Sequence, residues 1–294
     1  MIKKLTSITT AVLAAAVMCS CAGSNGGEAP NTENDKLQVY TSFYAMYDFA
    51  RQIGADEADV YLLCPVGAEP HDFEPTASDM AKMTDCDIFI FNGMGMEPWA
   101  DSVVPMLENE GVITLEASSA AVSITENNDP HVWLNPSNAY EQMSMIAKAY
   151  SDADPDNAQY YAQRLNECKE KTDKLIKDYS AAAEGFKTKN IITSHEAYMN
   201  LCQAFGLNQT AINGTDNSED SSPARMAQIE NFIKENNIRY IFTEPLGTSS
   251  VAEAIASDTD CTLLTLDPFE GNNENKDYFT IMYENLDALK KALD

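Results

Sequence analysis

The sequence predicts an α/β protein of two similar βα lobes with parallel sheets, joined by one long backbone helix. Three observations carry this. Short β-rich runs alternate with helical stretches from Leu37 onward, a rhythm that argues for parallel strands with crossover helices. The rhythm occurs twice. Between the two occurrences, residues 154–185 place apolar side chains at three- and four-residue intervals, the signature of one helix of roughly 45 Å at 1.5 Å per residue.

In the first lobe, residues 37–153, the strand candidates are LQVYTSF, ADVYLLCP, CDIFIFNG and GVITLE, bounded by Gly, Pro or acidic residues. Helical stretches lie between them at Tyr44–Ile53 and from Ser78, and Pro136 opens a further helix. Asp154 and Pro155 read as the cap and first turn of the linking helix. Its apolar stripe is Ala158, Tyr161, Leu165, Cys168, Thr172, Leu175, Tyr179 and Ala182, and Gly185 ends it. In the second lobe, residues 186–294, NIITS, IRYIFTEP and CTLLTLDP are strands. Helices are expected near Glu196–Phe205, Pro223–Asn236, Ser249–Ser257 and Tyr278–Leu293. A stiff strut along both lobes limits how far they can swing apart, so cleft ordering rather than wide hinge motion is expected.

Composition narrows the class of function. With 19 Lys+Arg against 46 Asp+Glu the net charge is −27, which argues against nucleic acid as a partner. A 44% apolar content is that of a globular protein. The acidic field attracts divalent cations, although screening within about 8–10 Å keeps that effect modest.

The N-terminus reads as an address. Lys3 and Lys4 precede an uncharged apolar run, Ile8 to Met18, shorter than the roughly 20 residues that span a bilayer. Residues 1–20 are therefore expected to be an export signal. Met18-Cys19-Ser20-Cys21 resembles the bacterial lipoprotein signal, and that resemblance implies lipidation at Cys21. Residues 21–36 contain little to bury and form a tether with a reach of roughly 20 Å. The folded part is expected outside the cytoplasmic membrane, held there by lipid.

The chain has only three histidines, and all lie at strand–helix junctions. His71 is in GAEPHDFEPT after the ADVYLLCP strand. His131 is in DPHVWLNP, before the helix that Pro136 opens. His195 follows NIITS at once. Ligands of open α/β sheets bind beyond the carboxyl ends of strands, and neutral imidazole is the commonest protein ligand for zinc. The spacings are too long for a local finger or ribbon, so the fold must bring the rings together. The cysteines beyond Cys21, namely Cys64, Cys86, Cys168, Cys202 and Cys261, show no CxxC spacing. A thiolate site is therefore not indicated, and free, mostly buried thiols are expected.

PHDFEPTASDM, GMGMEPW, DPHVWLNP, SHEAYMNLCQAFGL and IRYIFTEP…LLTLDP, in that order, resemble the metal-binding lipoproteins of bacterial ABC importers for zinc and manganese. The resemblance covers residues 37–294. It implies two βα lobes on one backbone helix with a metal in the cleft between lobes, and ligands His71 and His131 from one lobe and His195 from the other. Asp267, in LLTLDP, stands where a carboxylate completes the site in many members; the alternative is water in that position, with Asp267 only a turn residue before Pro268. Glu69 and Glu244 are candidates for the pocket mouth and for supporting the ligands, and Trp133 for packing the His131 loop. Asn135 replaces a usual Asp, and Phe73 a usual Tyr. SITENNDP is short and lacks the histidines that zinc members often carry there.

Three nitrogens and one oxygen suit tetrahedral Zn²⁺, whereas Mn²⁺ prefers oxygen-rich octahedral surroundings. In the manganese members Glu stands where this chain has His195. The resemblance thus implies a monomeric Zn²⁺-capturing protein serving an ABC permease with a cytoplasmic ATPase, with Mn²⁺ as the alternative cargo. Two other classes compete. A zinc hydrolase would need HExxH, and the chain has His195-Glu196-Ala197-Tyr198-Met199. A surface adhesin would need a face for host matrix, and nothing in the sequence marks one.

Overall fold

The computed structural model describes residues 36–122, 129–214, 222–246, 249–271 and 276–294. The expected export signal, Cys21 and all but the last residue of the tether lie outside these, as does most of SITENNDP.

The first sheet contains β1 (Leu37–Thr41), β2 (Ala58–Leu62), β3 (Ile88–Phe91) and β4 (Ile113–Glu116), in the order β2-β1-β3-β4 and all parallel. The side chains of β3, Ile-Phe-Ile-Phe, are all buried, as expected for a central strand covered on both faces. The crossovers are α1 (Tyr44–Gly54), α2 (Ala77–Met83) and α3 (Ala100–Glu110). α3 is not evident from the sequence because Pro105 interrupts its pattern. α4 (Pro136–Ala153) follows, with the Asn135 side chain accepting from Ser137 N, so this Asn supplies the helix cap.

The connecting helix is α5 (Ala158–Gly185), 28 residues long. It begins later than Asp154 suggests, after a 3-10 turn at Pro155–Asn157. The Asp154 carboxylate instead accepts from Tyr161 Oη at 2.7 Å and from Asn157 Nδ2 at 2.8 Å. The buried stripe of α5 holds Tyr161, Cys168, Thr172, Leu175, Tyr179 and Ala183.

The second sheet contains β5 (Asn190–Thr193), β6 (Asn208–Ala211), β7 (Tyr240–Thr243) and β8 (Thr262–Thr265), in the order β6-β5-β7-β8 and again parallel. Its helices are α6 (Met199–Phe205), α7 (Pro223–Asn236) and α8 (Ser250–Thr259), and α9 (Tyr278–Leu293) closes the chain. β6, with sequence NQTA, is a polar edge strand that sequence patterning does not reveal. α6 starts at Met199 rather than Glu196. Thr193 Oγ1 donates to the His195 carbonyl at 2.6 Å, and Tyr198 Oη to the Leu266 carbonyl at 2.6 Å. These bonds hold 194–198 as a loop, leaving His195 at the end of β5 instead of on a helix.

The largest apolar cluster runs through both lobes, from Val39 and Phe49 through Trp133 and Tyr161 to Tyr198, Tyr278 and Leu286. Each lobe adds a smaller cluster on its outer face, around Phe89 and Leu107 in one and Ile229 and Ile241 in the other. Shared burial of this kind resists separation of the lobes, since exposing it costs about 25 cal/mol per Å². Hydrogen bonds, two of them buried, cross the same seam. Tyr278 N donates to Asp48 at 3.0 Å, Tyr278 Oη to the Trp133 carbonyl at 2.8 Å, and Trp133 Nε1 to the Pro268 carbonyl at 2.7 Å. Cys64, Cys86, Cys168 and Cys202 are buried free thiols, and Cys261 is free and partly exposed. Among the described residues no helix is long and apolar enough to cross a membrane.

Candidate metal centre

Beyond the carboxyl ends of both sheets, five chemically active side chains converge. His71 lies on a 3-10 turn, Pro70–Asp72, in the β2–α2 connection. His131 lies between β4 and α4, and His195 directly follows β5. Glu244 directly follows β7, and Glu270 is in the β8–α9 connection. Ring centroids are 5.3 Å apart for His71 and His131, 5.7 Å for His71 and His195, and 5.0 Å for His131 and His195. One ring nitrogen from each lies within 4.8 Å of the others.

The atom-to-atom distances match one small ion. His71 Nε2 is 3.2 Å from His131 Nε2, and His131 Nε2 is 3.0 Å from Glu270 Oε1. Two ligands about 2.0–2.1 Å from a tetrahedral Zn²⁺ are separated by roughly 3.3 Å. Side chains held this close can share one cation without large rearrangement.

The outer nitrogens are anchored by carboxylates. His131 Nδ1 donates to Asp129 Oδ1 at 2.6 Å, which leaves Nε2 facing the cluster. Asp129 is held from the other lobe by Asn200 Nδ2, at 2.9 Å from Oδ2 and 3.2 Å from the carbonyl. His195 Nδ1 lies 3.2 Å from the Glu244 carboxylate. A carboxylate on the remote nitrogen fixes the ring and makes the facing nitrogen a better donor. Trp133 lies with its ring 5.2 Å from that of His131 and anchors the loop through Pro268.

Burial opposes charge on His131, but Asp129 and Glu270 outweigh it and raise its pKa to about 10. Burial likewise opposes charge on His195, and Glu244 with Glu270 raises its pKa to about 9. Burial would raise the Glu270 pKa, yet the three imidazoles together hold it well below the usual carboxylate range. Without a cation, protons thus occupy the polarised positions between imidazole and carboxylate.

A buried polar lattice supports the His131 loop from behind. Asn92 Nδ2 donates to the Pro130 carbonyl at 2.9 Å, and Gln142 Nε2 donates to Asn92 Oδ1 at 3.1 Å. Glu97, of the GMGMEPW stretch, accepts from Ser42 Oγ at 2.6 Å, Asn92 N at 2.9 Å and Gly93 N at 3.0 Å. Gly93 has φ 86°, and a Cβ there would lie 2.2 Å from Glu116 Oε1, so only glycine fits this turn.

The structure brings His71, His131 and His195 together, with Glu244 behind His195 and Glu69 within 4.8 Å of His71 and Glu270. It does not bring Asp267 to them. Among the described residues, Asp267 belongs to no group of three donors within 4.8 Å. Its Oδ1 accepts from Phe269 N at 2.8 Å, and its own N–H donates to Asn285 Oδ1 at 2.8 Å. The turn holds Phe269 at φ 62° and delivers Glu270, three residues later, to the cluster. Glu270, Asp129 and Asn200 were not singled out by the sequence. The sequence shows only an Asp-Pro turn with a second acid three residues on, and does not record which of the two turns inward.

Two parallel-sheet lobes with a histidine-rich, carboxylate-backed cluster between them define a cation-binding protein. Residues 39–292 match the family model described as zinc-uptake complex component A, periplasmic, and the chain belongs to that family. The high-affinity zinc uptake system protein ZnuA of Bacillus subtilis (strain 168) is 33% identical over 316 residues, covering 100% of this chain and 99% of its own. The zinc-binding lipoprotein AdcA of Streptococcus pneumoniae (strain ATCC BAA-255 / R6) is 30% identical, and the match spans 99% of this chain but 61% of that longer protein. The Zn(II)-bound ZnuA-like domain of S. pneumoniae AdcA superposes with a TM-score of 0.79 at 31% identity, over 88% of this chain and 99% of that one. The laminin-binding protein Lmb of Streptococcus agalactiae, described as having adhesin and metal-transporting activity, gives 0.82 at 31% identity, over 88% and 100%. The family is one of uptake components rather than of enzymes.

Proposed function

We propose that this protein captures Zn²⁺ outside the cytoplasmic membrane, with His71, His131, His195 and Glu270 as ligands. It delivers the ion to an ABC-type permease driven by a cytoplasmic ATPase. The observation that carries this reading is the 3.2 Å and 3.0 Å spacing of His71 Nε2, His131 Nε2 and Glu270 Oε1. Three imidazoles and one carboxylate suit zinc better than manganese. The zinc uptake protein of B. subtilis, similar over its whole length, supports the cargo and the partner. The protein acts as a monomer anchored by lipid at Cys21. The Met18–Cys21 sequence supports that anchor, and so does the lipoprotein relative in S. pneumoniae.

Proton competition provides the test. Zinc must displace the protons held by His131 and His195, whose pKa values are about 10 and 9 in the metal-free protein. Zinc affinity, read by competition with a chelator, is expected to rise by at least about tenfold per pH unit from pH 6 to 9. An unperturbed imidazole would place that dependence below about pH 6.5; the carboxylates move it upward. Stability of the metal-free fold runs the other way. The raised pKa values stabilise it fully below about pH 6.5, and this is lost as pH rises through about 9 and 10. A zinc affinity that ignores pH, or one matched by Mn²⁺, would contradict the reading.

A further inference from the structure

The donor atoms fall into two overlapping groups. His71, His131 and His195 form one, and Glu69, His71 and Glu270 form the other, each with its ligand atoms within 4.8 Å of one another. The groups differ in depth. His131 and His195 are fully buried and Glu270 nearly so, whereas Glu69 and His71 are only partly buried. They differ in chemistry too, the deeper set being all nitrogen and the shallower set mostly oxygen.

The loops that carry the shallow set pack backbone against backbone. A Cβ on Gly271, next to Glu270, would sit 3.3 Å from the Ala68 carbonyl oxygen, 3.6 Å from Gly67 N and 2.6 Å from Leu246 Cδ1. The absence of a side chain at Gly271 lets the Glu270 loop of one lobe press against the Glu69 loop of the other. The pairing of Glu69 with Glu270 is therefore built by the fold. Burial, with smaller contributions from the Glu69 and Glu270 carboxylates, pushes the Cys64 thiol up to about 12.

We propose that Glu69, His71 and Glu270 form an outer capture position for the divalent cation, from which it steps inward to the three-histidine position. This rests on the zinc-capture reading and adds a route to it. Two carboxylates balance the charge of a cation that still keeps part of its water shell, as oxygen ligands allow. The inward step exchanges Glu69 and the remaining waters for His131 and His195, while His71 and Glu270 stay bound. The ion is never without protein donors, and the exchange involves no change of redox state.

Two measurements test the route. Stopped-flow tryptophan fluorescence after mixing with Zn²⁺ should show association slowed about tenfold in Glu69→Gln, the scale of losing electrostatic guidance at a mouth. The equilibrium Kd should change little, because release uses the same position. In His195→Ala, the outer position remains and should bind Mn²⁺ weakly, lowering the free-ion electron paramagnetic resonance signal; adding Glu69→Gln should restore that signal. An unchanged association rate would overturn the proposal, as would absence of Mn²⁺ binding in His195→Ala or binding indifferent to Glu69→Gln. Failure of the unsubstituted protein to bind zinc at equilibrium is a separate result, and it would remove the capture reading itself.

Discussion

His131→Ala is expected to lower zinc affinity by about a thousandfold or more, equivalent to roughly 4 kcal/mol, and to destabilise the metal-free fold as well. The imidazole is fully buried and stands between two carboxylates, Asp129 at 2.6 Å and Glu270 at 3.0 Å. Removing it takes away a ligand and strands two buried anions. Breaking a buried pair from one side typically costs about 3–5 kcal/mol. Asn200 still donates to Asp129, which keeps the loss toward the lower end. Chelator competition reads the first effect, and thermal denaturation with chelator present reads the second. A variant that binds zinc normally would remove His131 from the site. One that loses zinc but keeps full metal-free stability would show that the carboxylates relax elsewhere.

The second large effect separates two acids in one turn. Glu270→Gln is expected to weaken zinc binding by about a hundredfold or more, beyond the 10–100-fold typical of a residue that merely supports a ligand. Its side chain is 2% exposed and its carboxylate is held ionised by three imidazoles, so removing its charge removes the counter-charge for the cation. Asp267→Ala is expected to change affinity by less than about tenfold while lowering stability by about 1 kcal/mol, the scale of one lost hydrogen bond. The Phe269 N–H would lose its acceptor at a positive φ. Isothermal titration and denaturant melts on both variants decide the matter, and the opposite pattern would return Asp267 to the site.

The contrast between these two residues shows what the sequence could carry. Strand–helix alternation and the stripe of α5 are local patterns, so seven of the eight strands among the described residues and the long helix were legible. The three histidines were legible because each sits at a junction and the chain holds no others. Asp267 and Glu270 differ in a way no local pattern records. Both follow β8 within a few residues, and a hydrogen bond from Phe269 N decides which one turns inward. Asn200 is similarly silent, since its partner Asp129 is 71 positions away. β6 escaped notice because an edge strand needs only a ladder partner, and NQTA offers neither branching nor apolar alternation. Asp154 does head the 3-10 turn that leads into α5, but its carboxylate accepts from the Tyr161 and Asn157 side chains rather than from a backbone N–H.

Limited lobe motion also follows from the packing rather than from the helix alone. The apolar cluster is continuous across the seam, and Trp133, Tyr278 and Asp48 bridge it with hydrogen bonds. Release is then expected to depend on loosening the loops around His71 and Glu270 more than on rotating whole lobes.

X-ray absorption of the zinc-loaded protein at the zinc edge tests the central claim most directly. A first shell of nitrogen and oxygen at about 2.0–2.1 Å, with outer scattering from three imidazoles, is predicted. Sulfur at about 2.3 Å, or scattering from a single imidazole, would contradict it.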